Sequence, residues 1–435
     1  MSRRALVVGL GRSGRAAAAL LRRRGWSVVA IDARAADEAR AELEPLGVEV
    51  RAPWEESVAD VDLVVKSPGV PAEVPPVAAA RAAGAPVWGE LELAARELAN
   101  PLIGITGTNG KTTTTELTAH LLREAGRAAV ACGNQGTPLA GLVDRVDPAV
   151  WLVVECSSFQ LEDIDTFHPR AAALLNLAPD HIDRHGTMDA YRAAKLRLFE
   201  NQDSGDLALL EEPLMATGGA PTRRVVEGER TPDAAAWSAG GLHVAGRGRV
   251  IGWDEVPLRG RHNRQNVMVA AAIAAHVGLS ADEIAAGLRG FAGVAHRLEV
   301  VGERSGVLYV NDSKGTNPDA VVAALDAYPQ RVRLIAGGRG KGTPFGPVAE
   351  AARSAVVHAY LMGEAGPELA EAFAATGVAH TVLATMRDAL AAAAADARAG
   401  EVVLLSPACT SFDQFSSYEE RGDVFRQEAR ALGAT

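Results

Sequence analysis

The chain alternates between short apolar runs and longer amphipathic segments over most of its length. Apolar runs of this kind, bounded by Gly, Pro or Asp, predict strands, and apolar residues at helical spacing between them predict helices. Near the start, strands are predicted at residues 5–10, 27–31 and 62–66, with a helix from the first of them to Arg24. Alternation of strands and helices is typical of α/β folds built on parallel sheets.

The same pattern continues to the end of the chain, with one interruption. A Gly-rich segment from Ala235 to Val256 predicts antiparallel strands, and a single long helix is predicted from Asn263 to Val277. Further strands are predicted at 102–105, 128–131, 151–155, 171–175, 308–311, 333–336, 357–362 and 401–406. The pattern therefore predicts three successive α/β domains.

Composition narrows the class of protein. At 435 residues the chain exceeds the usual size of one domain, and its net charge of −10 comes without a basic run that could follow a nucleic acid or an anionic membrane. Cys132, Cys156 and Cys409 are odd in number and lack metal-site spacing, which indicates reduced, buried thiols. Because we find neither an apolar run long enough to span a membrane nor a signal segment, we expect a cytoplasmic protein.

A glycine-rich turn follows the predicted strand at 102–105. The segment Gly107-Thr-Asn-Gly-Lys-Thr112 joins this strand to a predicted helix, an arrangement typical of loops that hold nucleotide phosphates. Backbone N–H groups and the helix N-terminus would bind phosphate oxygens, Lys111 would reach the terminal phosphates, and Thr112 would offer its hydroxyl to Mg²⁺. The spacing is shorter than the common form, because Ile105 stands where a glycine is usual.

A second glycine motif lies at the start of the chain. Gly9-Leu-Gly-Arg-Ser-Gly14 is a full G-x-G-x-x-G between a predicted strand and helix, and Asp32 follows the next strand. Alone, this motif favours a dinucleotide-binding Rossmann domain, although the same geometry suits another nucleotide. A polyphosphate loop downstream favours a nucleotide-linked substrate bound beside ATP. The sequence thus predicts a Rossmann-like N-terminal domain, a central P-loop mononucleotide-binding domain and a Rossmann-like C-terminal domain.

Polar residues gather at the ends of two predicted central strands. Glu155 ends the strand at 151–155 and is a candidate Mg²⁺ ligand, with a strand-end cap as the alternative. The next strand leads into Asn176-Leu-Ala-Pro-Asp-His181-Ile-Asp-Arg-His185, which is dense in metal-ligating groups. By its residue type and helical context alone, Lys195 would be a solvated lysine.

Taken in order, these segments resemble the Mur ligase family. The resemblance rests on the 107–112 loop, Glu155-Cys-Ser-Ser, the 176–185 segment, Lys195, Gly260-Arg-His-Asn-x-x-Asn266, His296-Arg297 and Asn311-Asp-Ser-Lys314. Family members use ATP to join an amino acid to a UDP-sugar that carries a carboxylate. Within the family, the motifs at 9–14, 312–317, 337–341 and 405–415 resemble those of members that add D-glutamate to UDP-N-acetylmuramoyl-L-alanine.

The resemblance implies roles for residues of the central and C-terminal regions. Catalytic roles fall to Lys111, His181, Lys195 and Lys314. ATP would be bound by Gly107, Thr108, Asn109, Gly110, Lys111, Thr112, Thr113, Asn266, Arg297 and Asp312. Two Mg²⁺ ions would be held by Thr112, Glu155, His181 and Lys195, the lysine being carbamylated by CO₂. A carbamate is an anionic oxygen ligand, which a cationic lysine is not.

The resemblance also implies the substrate contacts and the domain limits. UDP-N-acetylmuramoyl-L-alanine would be bound by Gly11, Arg12, Ser13, Gly14, Asp32, Arg34, Gly69, Asn134, Ser157 and His181. D-Glutamate would be bound by Thr316, Lys341, Ser411, Phe412 and Tyr418. The domains would span 1–90 for the UDP-substrate, 91–294 for ATP, and 295–435 for D-glutamate and for closure on ATP. We expect a monomer that acts on small molecules.

Alternatives remain open. A Mur-type ligase for another amino acid is the nearest, although the Asp-Asn-Pro-Arg signature typical of diamino-acid ligases is missing from this sequence. An NAD-dependent oxidoreductase would use the 9–14 motif but would leave the 107–112 loop without a role. A non-catalytic ATP-binding regulator would account for that loop but not for the regions around Lys341 and Ser411.

Overall fold

The computed structural model describes residues 3–34, 37–51, 61–210, 217–258 and 260–435. The chain divides into two compact units. The first unit comprises residues 1–256 and 265–290, and the second comprises residues 257–264 and 291–435. The first unit contains two sheets and the second contains one.

The first sheet is parallel and has the order β3-β2-β1-β4-β5, the strand order of a doubly wound nucleotide-binding domain. Its strands are β1 (Arg4–Val8), β2 (Ser27–Ile31), β3 (Glu49–Arg51), β4 (Leu63–Lys66) and β5 (Val87–Gly89). Its helices are α1 (Arg12–Arg23), α2 (Asp37–Leu43), α3 (Pro75–Ala82) and α4 (Glu90–Ala95). The G-x-G-x-x-G segment therefore joins β1 to α1, as predicted.

The second sheet has nine strands in the order β14-β13-β12-β11-β10-β9-β6-β8-β7. They are β6 (Leu102–Thr106), β7 (Ala129–Gly133), β8 (Trp151–Glu155), β9 (Ala171–Leu174), β10 (Leu207–Leu210), β11 (Thr222–Val226), β12 (Ala234–Trp237), β13 (Leu242–Val244) and β14 (Gly248–Ile251). The helices are α5 (Lys111–Glu124), α6 (Ser158–Leu161), α7 (Ile182–His185), α8 (Met188–Leu196), α9 (Arg261–His276) and α10 (Ala281–Gly290). The phosphate loop leads from β6, inside the parallel part, into α5.

The third sheet lies in the second unit and has the order β15-β16-β20-β17-β18-β19. Its strands are β15 (Glu299–Arg304), β16 (Val307–Asn311), β17 (Val332–Gly337), β18 (Val356–Met362), β19 (His380–Leu383) and β20 (Val402–Leu405). The helices are α11 (Pro318–Asp326), α12 (Gly346–Ala355), α13 (Gly366–Thr376), α14 (Met386–Asp396) and α15 (Tyr418–Ala431). Only β15 runs antiparallel to its neighbour in this sheet.

Parallel strands are buried on both faces, and successive residues of β1 and β17 alternate between two cores. In β1, Val7 belongs to one apolar cluster and Leu6 to another. In β17, Leu334 and Ile335 are divided in the same way. The first and third sheets are therefore covered on both faces, and the carboxyl ends of their strands are left to carry polar loops.

Most predicted elements are confirmed, with shifts of one or two residues at their ends. The predicted antiparallel segment is confirmed in β12–β14, and the predicted long helix is α9. Six strands were not predicted: β3, β5, β10, β11, β19 and the antiparallel β15. All three cysteines are buried and unpaired, as expected. Among the helices of the described ranges, none has the length and apolar character needed to cross a bilayer.

Candidate active site

The phosphate loop follows β6 and turns sharply into α5. Gly107 and Gly110 have φ values of 150° and 85°, which other residues rarely adopt. A Cβ on Gly110 would lie 2.4 Å from Oδ1 of Asn266, so this glycine also permits close packing against α9. Lys111 donates from Nζ to the carbonyl oxygens of Gly107 at 2.9 Å and Thr108 at 2.8 Å. The loop is thus closed around the ammonium group predicted to contact ATP.

Glu155, at the end of β8, joins two predicted sites. Its Oε2 accepts a 2.7 Å hydrogen bond from the Thr112 hydroxyl, and its Oε1 accepts a 2.8 Å bond from Nδ2 of Asn134. The carboxylate is buried, and within the described ranges it forms no ion pair. A buried carboxylate beside a hydroxyl, with neutral donors only, fits a bound divalent cation, because such an ion would supply the missing countercharge.

Lys195 is buried rather than solvated, with a relative exposure of 1%. Its Nζ lies 2.9 Å from the carbonyl oxygen of Gly107 and 4.6 Å from the ring centroid of Tyr191. Burial, together with the charge of Lys111, lowers its pKa from 10.5 to about 7. A substantial neutral fraction at physiological pH therefore fits the predicted reaction of this amine with CO₂.

The segment after β9 is held against the phosphate loop. The side chain of Asn176 accepts from the backbone N–H of Asn109 at 2.8 Å and donates to its carbonyl oxygen at 3.0 Å. His181, immediately before α7, has a φ of 53°, a conformation that costs energy for a non-glycine residue. Its ring is half exposed and lies 4.8 Å from that of Phe159.

A cluster of rings beneath His181 contains residues that the sequence did not single out. The Tyr191 hydroxyl lies 3.2 Å from Oγ1 of Thr108, and its ring packs against His185. The His185 side chain is almost fully buried and its Nε2 lies 3.0 Å from Oγ of Ser158. Sequence spacing gave no reason to choose Tyr191, because an amphipathic helix normally buries an aromatic residue there.

A cavity of about 660 Å³ lies between the loops of the first sheet and the end of β7. Seven of the residues predicted to bind the UDP-substrate line it: Gly11, Arg12, Ser13, Asp32, Arg34, Gly69 and Asn134. Asp32 accepts hydrogen bonds from the backbone N–H groups of Leu10 at 2.7 Å and Arg34 at 3.0 Å. The carboxylate therefore fixes the glycine-rich loop at the mouth of the cavity.

Three other residues predicted to bind the UDP-substrate do not line this cavity. Gly14 permits close packing, because a Cβ there would lie 1.9 Å from the carbonyl oxygen of Gly9. Ser157 caps α6 through a capping box with Gln160. His181 packs near Phe159 and is not among the residues that line the cavity. These placements leave their contribution to substrate binding as a prediction.

Basic side chains that the sequence did not indicate fix the rim of this cavity. The carbonyl oxygen of Val70 accepts from Nζ of Lys66 at 3.0 Å and from Nη2 of Arg184 at 2.9 Å. Lys66 is fully buried and pairs with Asp163 at 2.8 Å. Because Arg184 belongs to α7, the loop that lines the cavity is tied to the element that follows His181.

In the second unit, residues predicted to bind D-glutamate lie on three loops at the carboxyl edge of the sheet. Thr316 follows β16, Lys341 follows β17, and Ser411 follows β20. Nζ of Lys341 lies 3.3 Å from Oγ1 of Thr316. Ser411 is buried, whereas the neighbouring Phe412 is 61% exposed.

The remaining predicted residues are anchored near the same edge. Asp312 is buried and accepts from the Ser406 hydroxyl at 2.7 Å, while burial raises its pKa to about 6. Nζ of Lys314 lies 5.6 Å from the ring centroid of Tyr418. The positive charge of Arg297 partly opposes this rise, because it favours the ionised form of Asp312. Asp312 and Lys314 therefore lie on the loop after β16, which also carries Thr316.

Family models match three successive parts of the chain. The Mur ligase MurD-like N-terminal domain matches residues 3–89, the Mur ligase middle domain matches 105–274, and the Mur ligase glutamate ligase domain matches 296–409. A UDP-N-acetylmuramoylalanine–D-glutamate ligase of Pelotomaculum thermopropionicum is 45% identical over 99% of this chain and 98% of its own. The chain belongs to the Mur ligase family.

Other relatives agree with this assignment. The Myxococcus xanthus protein named UDP-N-acetylmuramoylalanine–D-glutamate ligase is 44% identical over 98% of both chains. The crystal structure of UDP-N-acetylmuramate–alanine ligase MurC from Thermotoga maritima has a TM-score of 0.60 at 18% identity, covering 99% of this chain and 100% of that one. A pseudomurein peptide ligase type C from Methanothermus fervidus has the same TM-score at 15% identity. At these identities the two structures show a shared fold.

Membership of the Mur ligase family decides between the two glycine motifs. Mur ligases are ATP-dependent and use Mg²⁺, so the chain is an ATP-dependent ligase and the oxidoreductase alternative is wrong. The phosphate loop and Glu155 lie in the part matched by the middle-domain model. In this Mur ligase the G-x-G-x-x-G motif, although closer to the usual dinucleotide spacing, is part of the MurD-like N-terminal domain.

Proposed function

We propose that this Mur ligase joins the amino group of D-glutamate to the L-alanine carboxylate of UDP-N-acetylmuramoyl-L-alanine. ATP would be cleaved to ADP and phosphate, and the reaction would belong to cytoplasmic peptidoglycan precursor synthesis. The observation that carries the proposal is the 45% identity, over nearly the whole of both chains, to a relative of that name.

The chemistry must first activate a carboxylate, which is a poor electrophile. A carboxylate oxygen attacks the γ-phosphorus of ATP, the bond to the β-phosphate oxygen breaks, and an acyl phosphate and ADP result. The D-glutamate amine then attacks the acyl carbon, phosphate leaves, and a proton is lost from nitrogen. Phosphoryl transfer depends mainly on positioning and charge neutralisation, and positioning of reactants is worth up to about 7–11 kcal/mol.

Positioning of ATP is assigned to the phosphate loop and the residues packed on it. Lys111 would neutralise the terminal phosphates from its place at the loop, and the N-terminus of α5 would orient them. Asn266 lies next to Gly110, which supports its assignment to the nucleotide site. In the second unit, Arg297 and Asp312 are assigned to the nucleotide and Lys314 to the reacting groups, as the family resemblance implies.

Two Mg²⁺ ions are assigned to neighbouring groups of the first unit. Thr112 and Glu155 would hold one, and His181 with carbamylated Lys195 would hold the other. When bound, the ions would neutralise negative charge on the phosphoryl oxygens. Lys195 supports this assignment because its amine is buried, close to the Gly107 carbonyl oxygen, and lowered in pKa to about 7.

The UDP portion of the substrate is assigned to the cavity bounded by Gly11, Arg34, Gly69 and Asn134. Its place supports the assignment, because Asn134 donates to the same Glu155 carboxylate that accepts from Thr112. One buried acid thus adjoins both the substrate cavity and the phosphate loop. D-Glutamate is assigned to Thr316, Lys341, Ser411, Phe412 and Tyr418, where Lys341 supplies positive charge for a carboxylate.

The test is phosphate release by the purified protein with UDP-N-acetylmuramoyl-L-alanine, ATP and Mg²⁺. D-Glutamate is compared with L-glutamate, L-lysine and meso-diaminopimelate at equal concentrations. We expect turnover with D-glutamate alone. Turnover that favours another amino acid would overturn the specificity, and ATP hydrolysis independent of any amino acid would overturn the ligase reaction itself.

A further inference from the structure

Arg421, near the start of α15, heads the largest fully buried side chains among the described residues, with 1% exposure. Its guanidinium donates to Oγ of Ser313 at 2.9 Å and to the Ser313 carbonyl oxygen at 2.8 Å. It also donates to the carbonyl oxygens of Cys409 and Thr410, each at 3.2 Å. One side chain therefore joins the loop after β16 to the loop after β20.

The setting of this arginine is unusual because its partners are neutral. Across the ranges that the structure describes, no carboxylate lies within ion-pair distance of Arg421, and Asp312 and Asp413 act on it only through space. Burial lowers its pKa to about 10, so it stays charged at neutral pH. By contrast Arg333 in β17, the other buried arginine among the described residues, forms a 2.7 Å ion pair with Glu401. Buried charges are normally paired, so the charge of Arg421 needs another explanation.

The two loops that Arg421 joins carry residues assigned to D-glutamate. Thr316 lies three residues beyond Ser313, and Ser411 directly follows Thr410. Thr410 also exchanges backbone hydrogen bonds of 3.0 Å with Arg339, which brings in the loop that leads to Lys341. The approach is close enough that a Cβ on Gly338 would lie 2.2 Å from the Thr410 carbonyl oxygen.

We propose that Arg421 is a positioning residue for the amino-acid substrate, fixing these loops in one arrangement and supplying positive charge that favours an amino acid with two carboxylates. This inference rests on the proposed function. The guanidinium donates its hydrogen bonds to loop carbonyl oxygens and to the Ser313 hydroxyl, whereas no ion pair neutralises its charge. In a poorly hydrated setting that charge acts over a longer distance than it would in water.

The test uses two variants of Arg421 and a matched control. Arg421→Lys keeps the charge but loses the planar fork, and Arg421→Met loses both. Arg333→Met removes a buried arginine at the opposite, amino end of the same strands, where no substrate residue is assigned. Initial rates of phosphate release are measured with each of the three substrates varied in turn.

We expect the KM for D-glutamate to rise about 10- to 100-fold in Arg421→Lys, the equivalent of one lost hydrogen bond to a charged group, and further in Arg421→Met. The KM values for ATP and for UDP-N-acetylmuramoyl-L-alanine should change less than about twofold, and Arg333→Met should leave all three near wild type. If Arg421→Met does not fold, the KM for D-glutamate of Arg421→Lys alone tests the inference.

An unchanged KM for D-glutamate in Arg421→Lys would overturn the inference, as would an equal rise for all three substrates or the same rise in Arg333→Met. The wild-type assay separates this result from failure of the proposed function. If the wild type shows no D-glutamate-dependent phosphate release, the proposed function fails. If it does and the variants behave like wild type, only the role of Arg421 fails.

Discussion

The Thr112 hydroxyl donates a 2.7 Å hydrogen bond to Oε2 of Glu155, and Asn134 donates to the other oxygen of the same carboxylate. The first contact lies at the start of the helix after the phosphate loop, and the second reaches the cavity assigned to the UDP-substrate. Because Glu155 is buried and accepts hydrogen bonds only from neutral donors, a cation bound beside it would not have to break an existing ion pair.

Glu155→Gln should reduce ligation at least about 10- to 100-fold and raise the Mg²⁺ concentration needed for half-maximal rate. The amide keeps the shape of the side chain but removes the negative charge and places a donor opposite Thr112 or Asn134. Phosphate release over a Mg²⁺ titration measures the effect. Glu92→Gln is the control, since Glu92 is also buried but forms a 2.6 Å ion pair with Arg96 and accepts from Thr166 and from backbone N–H groups. A Mg²⁺ dependence equal to that of wild type in Glu155→Gln would contradict the assignment.

Lys195 should form a carbamate when bicarbonate is present. The neutral amine adds to CO₂ and loses a proton, and because burial lowers the pKa to about 7, the neutral fraction grows as the pH rises through that value. We expect a ¹³C carbamate resonance from protein in ¹³C-bicarbonate that is stronger at pH 8 than at pH 6. Lys195→Arg, which keeps a cation but does not carbamylate, should lack the signal and be inactive. Full activity of the arginine variant would refute the role.

Gly110→Ala should abolish ATP binding, while Gly126→Ala should not. Both glycines lie at an end of α5 with positive φ, 85° and 74°, so both substitutions strain the backbone by about 1 kcal/mol or more. A Cβ on Gly126 would have no neighbour within 4 Å, whereas a Cβ on Gly110 would lie 2.4 Å from Oδ1 of Asn266. Calorimetric titration with a non-hydrolysable ATP analogue separates the two effects. Equal ATP affinity in the two variants would show that close packing at Gly110 is not needed.

Glu90 should make the stability of the first unit depend on pH. Its carboxyl is buried, Oε1 accepts from the backbone N–H of Ala140, and Oε2 has no hydrogen-bond partner in the part of the chain described. Burial raises its pKa from 4.5 to about 7. The contribution of Glu90 to the free energy of unfolding is therefore full below about pH 4.5 and is lost as the pH rises through 7. The loss amounts to at most about 3 kcal/mol.

Glu90→Gln should remove this dependence, because the amide stays neutral. Urea unfolding at pH 5 and pH 8 should show a smaller difference in unfolding free energy for the variant than for wild type. If the two proteins lose the same stability between these pH values, the carboxyl of Glu90 is not the group responsible.

The sequence predicted which strands and loops form the site better than it predicted which charged side chains of the site are buried. Strand ends carry polar residues in a fixed order, so the order of strands and loops along the chain was enough to place the phosphate loop, Glu155 and the 176–185 segment on one sheet edge. Lys195 could not be placed in this way, because burial of a helix lysine depends on what packs over it. The family resemblance, not residue spacing, pointed to it.

Other residues were missed for similar reasons. Tyr191, Arg184 and Arg421 act across elements that are distant in sequence, and their residue types are common on ordinary helices. The antiparallel β15 was missed because its burial is uneven, with Val300 half exposed, so its alternation of apolar residues is weak. Long-range contacts, rather than local pattern, decide these positions.

The most direct test of the account is transfer of oxygen from substrate to phosphate. UDP-N-acetylmuramoyl-L-alanine labelled with ¹⁸O in its L-alanine carboxylate is incubated with the protein, ATP, Mg²⁺ and D-glutamate, and the released phosphate is analysed by mass spectrometry. Activation of that carboxylate by ATP predicts one ¹⁸O in each phosphate and a product heavier by one glutamyl residue. Unlabelled phosphate, or release of phosphate without the glutamyl product, would contradict the account.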